Sequence, residues 1–309
     1  MIEKILITGR LYKVMETLLV GKLNKDLRFL PEDGVSESDL KWADAFVSFR
    51  PTANFQFGNL KWVHSLGAGV DAFLFNKEWK KDVLLSRTIC SFGQKISEYC
   101  LSYVLRVIQF HDMFHQSKET KLLKVFEPFA ISTQKIVIFG TGSIGQEVAR
   151  NFRLFGASVI GVSLSGSQNE HFNQVVPIEN VGHVLEDANW VINTLPLTPS
   201  TFKLFNHEIF KHLRGACFIN VGRGLSVDES SLFAALDHKN LRLVVLDVFS
   251  NEPLACNSPL WSREEIIITP HISALTSPEA AVDCFLNTLK TIELGKFPLM
   301  NQVEVDKGY

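Results

Sequence analysis

The chain has 309 residues, which at roughly 150 residues per domain is a length for about two domains. Its 46% apolar and 21% charged residues suit a globular protein. Lys+Arg at 31 against Asp+Glu at 33 leave a formal charge of −2, which speaks against a broad basic surface for nucleic acid. No run reaches the roughly 18 apolar residues of a membrane-spanning helix. The opening MIEKILITG has an apolar stretch too short for a signal peptide, with no small-residue cleavage site after it. The expectation is a cytoplasmic chain with neither membrane nor nucleic acid as partner. Cys90, Cys100, Cys217, Cys256 and Cys284 are odd in number and form no CxxC pair, so free thiols are expected.

In chain order, KILIT (4–8) reads as a strand and residues 10–20 as a helix. Residues 27–30 and AFVSF (45–49) are further strands, and residues 62–65 lead into the flexible Gly67-Ala68-Gly69. Strands alternating with helices imply parallel pairing through crossovers. One long helix is expected over 94–118, from Ile96, Cys100, Tyr103, Val104, Val107 and Ile108 at spacings of three and four. A helix of that length could join two domains and offer a face to a partner subunit.

The alternation then restarts. KIVIF (135–139) is almost wholly apolar, as a strand buried on both faces should be. A helix over 143–155 and strands over 158–162, 189–194, 216–221, 243–249 and 266–269 follow. Asp228 is a plausible N-cap for a helix over 228–238, and a last helix spans about 278–294. The fold class is α/β, with two parallel sheets flanked by helices.

Gly140-Thr141-Gly142-Ser143-Ile144-Gly145 is a GxGxxG between a strand and a helix, the context a dinucleotide turn requires. Gly140 allows the tight turn, Gly142 lets the backbone approach a pyrophosphate, and Gly145 lets helix and strand pack closely. The helix N-terminus offers N–H groups to phosphate. The acid expected about 20 residues on, which would bond the ribose hydroxyls, is replaced by Ser163-Leu164-Ser165. Without a carboxylate there is nothing to repel a 2′-phosphate, yet no arginine lies in 163–167 to clamp one. The balance tilts towards NADP, with NAD as the alternative.

Arg223, Glu252 and His271 each end or follow an expected strand, where open parallel sheets meet ligands. Their chemistry fits hydride transfer to a 2-keto acid. A histidine can protonate the carbonyl oxygen, a carboxylate can orient the ring, and a guanidinium can bind the substrate carboxylate and polarise the keto group. Singly, each could be an ordinary loop residue.

GTGSIGQEVAR, NTLPLTPST, INVGRGLSVDE, LDVFSNEP, ITPHISALT and PLMNQVEVDKGY, in that order, resemble the D-2-hydroxyacid dehydrogenase family over nearly the whole chain. HSLGAGVD and PHISALTSPEAA look most like its glyoxylate/hydroxypyruvate reductases, although that branch usually has Arg where this chain has Leu164. The resemblance implies two Rossmann-like or flavodoxin-like domains with an active-site cleft between them. The substrate domain would be residues 1–94 with 274–309, the dinucleotide domain residues 95–273. It gives Arg223 to substrate binding and activation, His271 to acid/base work and Glu252 to His271. It puts the N–H groups around Gly67, Ala68 and Gly69 on the substrate carboxylate, Leu195 and Pro196 along the nicotinamide and ribose, and Asp247 near the carboxamide. It also implies a homodimer.

Asp247 could instead bond local backbone at a strand end. Arg50 could add a second cation for substrate, or be a plain surface residue. His111 and His115 are four apart, but no third ligand is evident, so no metal is assigned. Two other functions stay open: a phosphoglycerate-type biosynthetic dehydrogenase, and a non-enzymatic NAD(P)-sensing protein on the same fold.

Overall fold

The computed structural model describes all 309 residues, in two compact units: Met1–Phe92 with Thr276–Tyr309, and Gly93–Leu275.

The first unit holds strands β1 (Lys4–Thr8), β2 (Asp26–Leu30), β3 (Ala45–Ser48), β4 (Trp62–Ser65) and β5 (Leu84–Arg87). They form one all-parallel sheet in the order β2-β1-β3-β4-β5. Helices α1 (Tyr12–Leu19), α2 (Glu37–Trp42) and α3 (Asp71–Leu74) lie between the strands. Apolar side chains fill both faces of the sheet, because parallel strands with crossover helices leave neither face to water. The C-terminal helix, Pro278–Glu293, belongs to this unit; Ser277 caps it and its Phe285 stacks on Trp62 at 5.6 Å. The tail then runs back to the sheet, where Val303 N–H donates to Leu85 O.

The second unit opens with α4 (Phe92–Ile108, from the last residue of the first) and α5 (His111–Thr120). The single helix expected over 94–118 is therefore two. Phe110 sits in the left-handed region (φ 57°) with its ring against Phe126 and Phe129, and Phe129 N–H takes the Ile108 carbonyl. Packing of the returning strand of chain breaks the helix where no glycine or proline announces it.

Strands β6 (Lys135–Phe139), β7 (Ser158–Ser163), β8 (Gln174–Pro177), β9 (Trp190–Asn193), β10 (Ala216–Asn220), β11 (Leu241–Leu246) and β12 (Ile266–Ile268) form the second sheet. Its order is β12-β11-β10-β9-β6-β7-β8, all parallel, so chain direction across the sheet reverses at β6. Helix α6 (Ser143–Leu154) follows β6, the short α7 (Gly182–Leu185) and α8 (His207–Phe210) follow β8 and β9, and α9 (Glu229–Asp237) follows β10. Asp228 caps α9 as expected, accepting from Ser231 N–H at 3.1 Å.

Candidate active site

The reversal at β6 makes a crevice at the carboxyl ends of β6 and β9, the usual place for a nucleotide in such sheets. Gly140 turns there with φ +105°, and a Cβ on it would lie 2.5 Å from Thr194 Oγ1. A Cβ on Gly145 would lie 1.9 Å from the Gly140 carbonyl oxygen, so the helix can approach the strand only as glycine. A Cβ on Gly142 would meet nothing within 4 Å, and no side chain caps the N-terminus of α6 there. Two glycines are required for packing, and the third leaves open space beside the exposed Ser143 and the half-buried Ile144. That cradle fits a pyrophosphate. Beyond β7, Ser163 Oγ accepts Gly166 N–H at 3.1 Å and Ser165 Oγ lies 2.8 Å from Ser167 Oγ, so the serines fold their own loop.

Leu195 and Pro196 follow β9 and are half-buried. Leu195 N–H donates to Asn193 Oδ1 at 3.0 Å, and Asn193 Nδ2 donates to Asn220 Oδ1 at 2.9 Å and Ser226 Oγ at 2.8 Å. Asn220 Nδ2 in turn donates to the Arg223 carbonyl at 3.1 Å. Two fully buried asparagines thereby lock the turn after β9 to the turn carrying Arg223. The sequence reading passed over them. The signal was an amide ending each of two neighbouring apolar strands, where a buried polar group must find partners. Arg223 is half-buried, and its Nη1 donates to Gly222 O at 2.7 Å.

His271 Nδ1 lies 2.7 Å from Glu252 Oε2, and Glu252 Oε1 accepts Phe249 N–H at 3.1 Å. Desolvation is the largest influence on Glu252 and raises its pKa. The His271 hydrogen bond and charge, the Phe249 N–H and the Arg223 charge together outweigh it and hold the carboxyl below its ordinary value. All three residues expected to act at the keto group therefore share one end of this sheet.

His271 has φ +53°, a costly conformation for a residue with a side chain. Asp247 explains how it is kept. Its fully buried carboxylate accepts Thr269 Oγ1 at 2.7 Å, Ile272 N–H at 2.8 Å and Ser273 N–H at 2.8 Å, and its carbonyl accepts His271 N–H at 2.9 Å. Tyr99 OH, on α4, closes the network 2.6 Å from Thr269 Oγ1. Asp247 thus bonds local backbone at its strand end and organises the His271 loop from inside. Tyr99 and Thr269 went unnoticed because a tyrosine on an apolar helix stripe reads as core.

In the first unit the loop after β4 is tied by Ser65, whose Oγ donates to Gly69 O at 3.0 Å and accepts Gly67 N–H at 3.3 Å. Ala68 and Gly69 N–H donate to no protein atom. Arg50 follows β3, the neighbour of β4, and its Nε and Nη2 hold Glu32 Oε2 at 2.9 and 2.8 Å. The arginine considered as a second cation for substrate thus has a carboxylate partner at the surface. His111 and His115 lie on the exposed α5, with His115 Nε2 3.6 Å from Glu119.

A dinucleotide cradle at the switch point of a parallel sheet, with a histidine–carboxylate pair and an arginine beside it, defines a nicotinamide-dependent oxidoreductase. Comparison with known proteins agrees. The model of the D-isomer specific 2-hydroxyacid dehydrogenase NAD-binding domain matches residues 99–273. A glyoxylate/hydroxypyruvate reductase A from Serratia proteamaculans is 34% identical over 259 residues, 82% of each chain. The fold superposes with TM-score 0.87 on a D-isomer specific 2-hydroxyacid dehydrogenase from Xanthobacter autotrophicus solved with NADPH and MES, 29% identical and covering 100% of both chains. It superposes with TM-score 0.89 on an NADPH-dependent glyoxylate/hydroxypyruvate reductase from Sinorhizobium meliloti solved with NADP and sulfate, 26% identical over 99% of this chain and 100% of that one. The chain belongs to the D-isomer specific 2-hydroxyacid dehydrogenase family and is an NAD(P)-dependent enzyme acting on CH–OH groups.

Proposed function

We propose that the chain reduces short 2-keto acids of the glyoxylate and hydroxypyruvate type to D-2-hydroxy acids, with NADPH preferred over NADH. The observation that carries the reading is the 2.7 Å contact of His271 Nδ1 with Glu252 Oε2, close enough to Arg223 for its charge to act on Glu252. The names of the curated relatives support the substrate class, and the NADP-bound neighbours support the cofactor. The Ser163-Leu164-Ser165 turn supports it too, having no carboxylate to repel a 2′-phosphate.

The second unit is the dinucleotide domain in this reading and the first the substrate domain. Gly140, Gly142, Ser143, Ile144 and Gly145 hold the pyrophosphate, Ser163 and Ser165 the adenosine ribose side, and Leu195 and Pro196 the nicotinamide edge. When bound, the reduced nicotinamide supplies hydride to the keto carbon. The Ala68 and Gly69 N–H groups receive the carboxylate, while the Gly67 N–H expected beside them is held by Ser65 Oγ. Arg223 binds carboxylate and keto oxygen through charge-assisted hydrogen bonds and stabilises the negative charge growing on that oxygen. As the new C–H bond forms, the carbonyl π pair moves to oxygen, and His271 Nε2 gives its proton there to make the O–H. Glu252 accepts the Nδ1–H throughout, which fixes the orientation of the ring. Asp247 acts through the loop it holds.

We also read the chain as a cytoplasmic homodimer. None of the five cysteines is in a disulfide, which supports a reducing compartment. Leu123 and Val125 support a partner surface: both are almost fully exposed, in a segment that also exposes Met113, Phe114 and Leu122.

The test is loss of reduced-nicotinamide absorbance with glyoxylate, hydroxypyruvate, pyruvate and phenylpyruvate, each with NADPH and with NADH. Fast loss with glyoxylate or hydroxypyruvate is expected. Saturable cofactor binding with no turnover across the panel would overturn the reading and favour a sensing protein.

A further inference from the structure

Arg87 ends β5, at the carboxyl edge of the first sheet, and pairs in register with Ser65 at the base of the Gly67–Gly69 loop. Its backbone is fixed on both sides: its N–H donates to Asn301 O at 3.1 Å, and its carbonyl accepts Asn301 Nδ2 at 2.8 Å. The side chain is half-buried, and Nη1 reaches the Ala68 carbonyl at 3.3 Å. No carboxylate of the first unit forms an ion pair with it, whereas Arg50 has Glu32. Its other guanidinium N–H groups take no protein partner. The only buried side-chain polar atoms without a partner are the Thr8 and Thr52 hydroxyls, so these N–H groups reach solvent. Burial lowers its pKa, with no charged neighbour to offset that. A guanidinium partly withdrawn from water with nothing to neutralise it is costly unless a ligand supplies the anion. The neighbouring Ala68 and Gly69 N–H groups are unspent as well. A second arginine at this edge, Arg10, lies 4.4 Å from the Phe49 ring centre.

We propose that Arg87 is a substrate-recognition residue, holding the carboxylate of the 2-keto acid together with the Ala68 and Gly69 N–H groups. Arg223 is then left to polarise the keto oxygen. This rests on the 2-keto acid reading above and divides its anion chemistry between two arginines. The physical reason is that neutral N–H groups alone compensate poorly for a carboxylate leaving water, whereas a planar fork can bind it through two parallel bonds.

The test compares wild type with Arg87→Gln and Arg87→Lys, each saturated with NADPH. One readout is calorimetric binding of oxalate, which cannot be reduced; the other is KM and kcat for glyoxylate and hydroxypyruvate. Loss of a charge-assisted pair predicts about 10- to 100-fold weaker oxalate binding and a KM raised by a similar factor for both keto acids. It also predicts kcat within about threefold of wild type, partial recovery in Arg87→Lys, and an unchanged NADPH affinity. Equal oxalate affinity in wild type and both variants overturns the inference. So does a fall in kcat at constant KM, the mark of a residue that only shapes the loop. A KM rise confined to hydroxypyruvate also overturns it, by moving Arg87 to the substrate side chain. Wild type that binds oxalate through Arg87 but reduces no keto acid overturns the proposed function and leaves this site standing.

Discussion

The two loops credited with touching substrate are built in opposite ways. The His271 loop is bonded from several sides: the Asp247 carboxylate takes two of its N–H groups and the Thr269 hydroxyl, the Asp247 carbonyl takes the His271 N–H, and Glu252 takes the imidazole. The Gly67–Gly69 loop is tied at its base by Ser65 and leaves Ala68 and Gly69 N–H unspent. An acid must deliver its proton along one direction, so its backbone is fixed even at the cost of a left-handed histidine. In the proposed function the second loop receives an anion, and donors kept in reserve are what that role requires. The contrast separates the two kinds of damage a substitution can do, to kcat in one loop and to KM in the other.

The largest effect expected within this comparison follows from breaking the bonded loop. Asp247→Asn turns a buried acceptor of three donors into a group with its own N–H pointing at one of them. The expected loss is about 2–3 kcal/mol of stability, read as a fall of roughly 5–10 °C in Tm, together with a lower kcat. Tyr99→Phe, at the outer end of the same network, should lose only about 1 kcal/mol. An unchanged kcat in Asp247→Asn would mean that the network does not position His271.

Glu252→Gln sharpens the same side through pH. The folded carboxyl sits below its ordinary value, so it stays ionised until pH falls through that lowered value. Protonating it there removes the acceptor that orients the His271 ring, so wild-type kcat/KM should show an acid limb below the ordinary carboxylate range. Glu252→Gln has no carboxyl to protonate and should lack that limb, at a lower kcat. A variant that keeps the limb would detach Glu252 from the acid. Ser65→Ala is the smallest change expected: it frees the base of the open loop, costing about 1 kcal/mol in denaturation and raising KM a few-fold with kcat preserved.

Much of this was legible from residues alone. KIVIF became β6 over the residues expected, because an apolar run followed by GTGSIG leaves few other options. Asp228 stood as a cap for a physical reason visible in any sequence. What escaped notice depends on packing between distant segments. β5 (LLSR) and β8 (QVVP) are four-residue edge strands, too short to show a period. The break at Phe110 is set by Phe126 and Phe129, which lie beyond the helix it ends. Glu32 neutralises Arg50 across 18 residues of chain, and Asn301 fixes Arg87 across 214, so neither arginine's standing could be read locally.

The central claim is that His271, held by Glu252, protonates the keto oxygen. Its most direct test is steady-state reduction of glyoxylate by wild type and His271→Gln, with NADPH affinity measured in parallel. The account predicts a fall of roughly 10²- to 10⁴-fold in kcat with cofactor binding intact. Retention of more than about a tenth of wild-type turnover, against that expected loss, would contradict it.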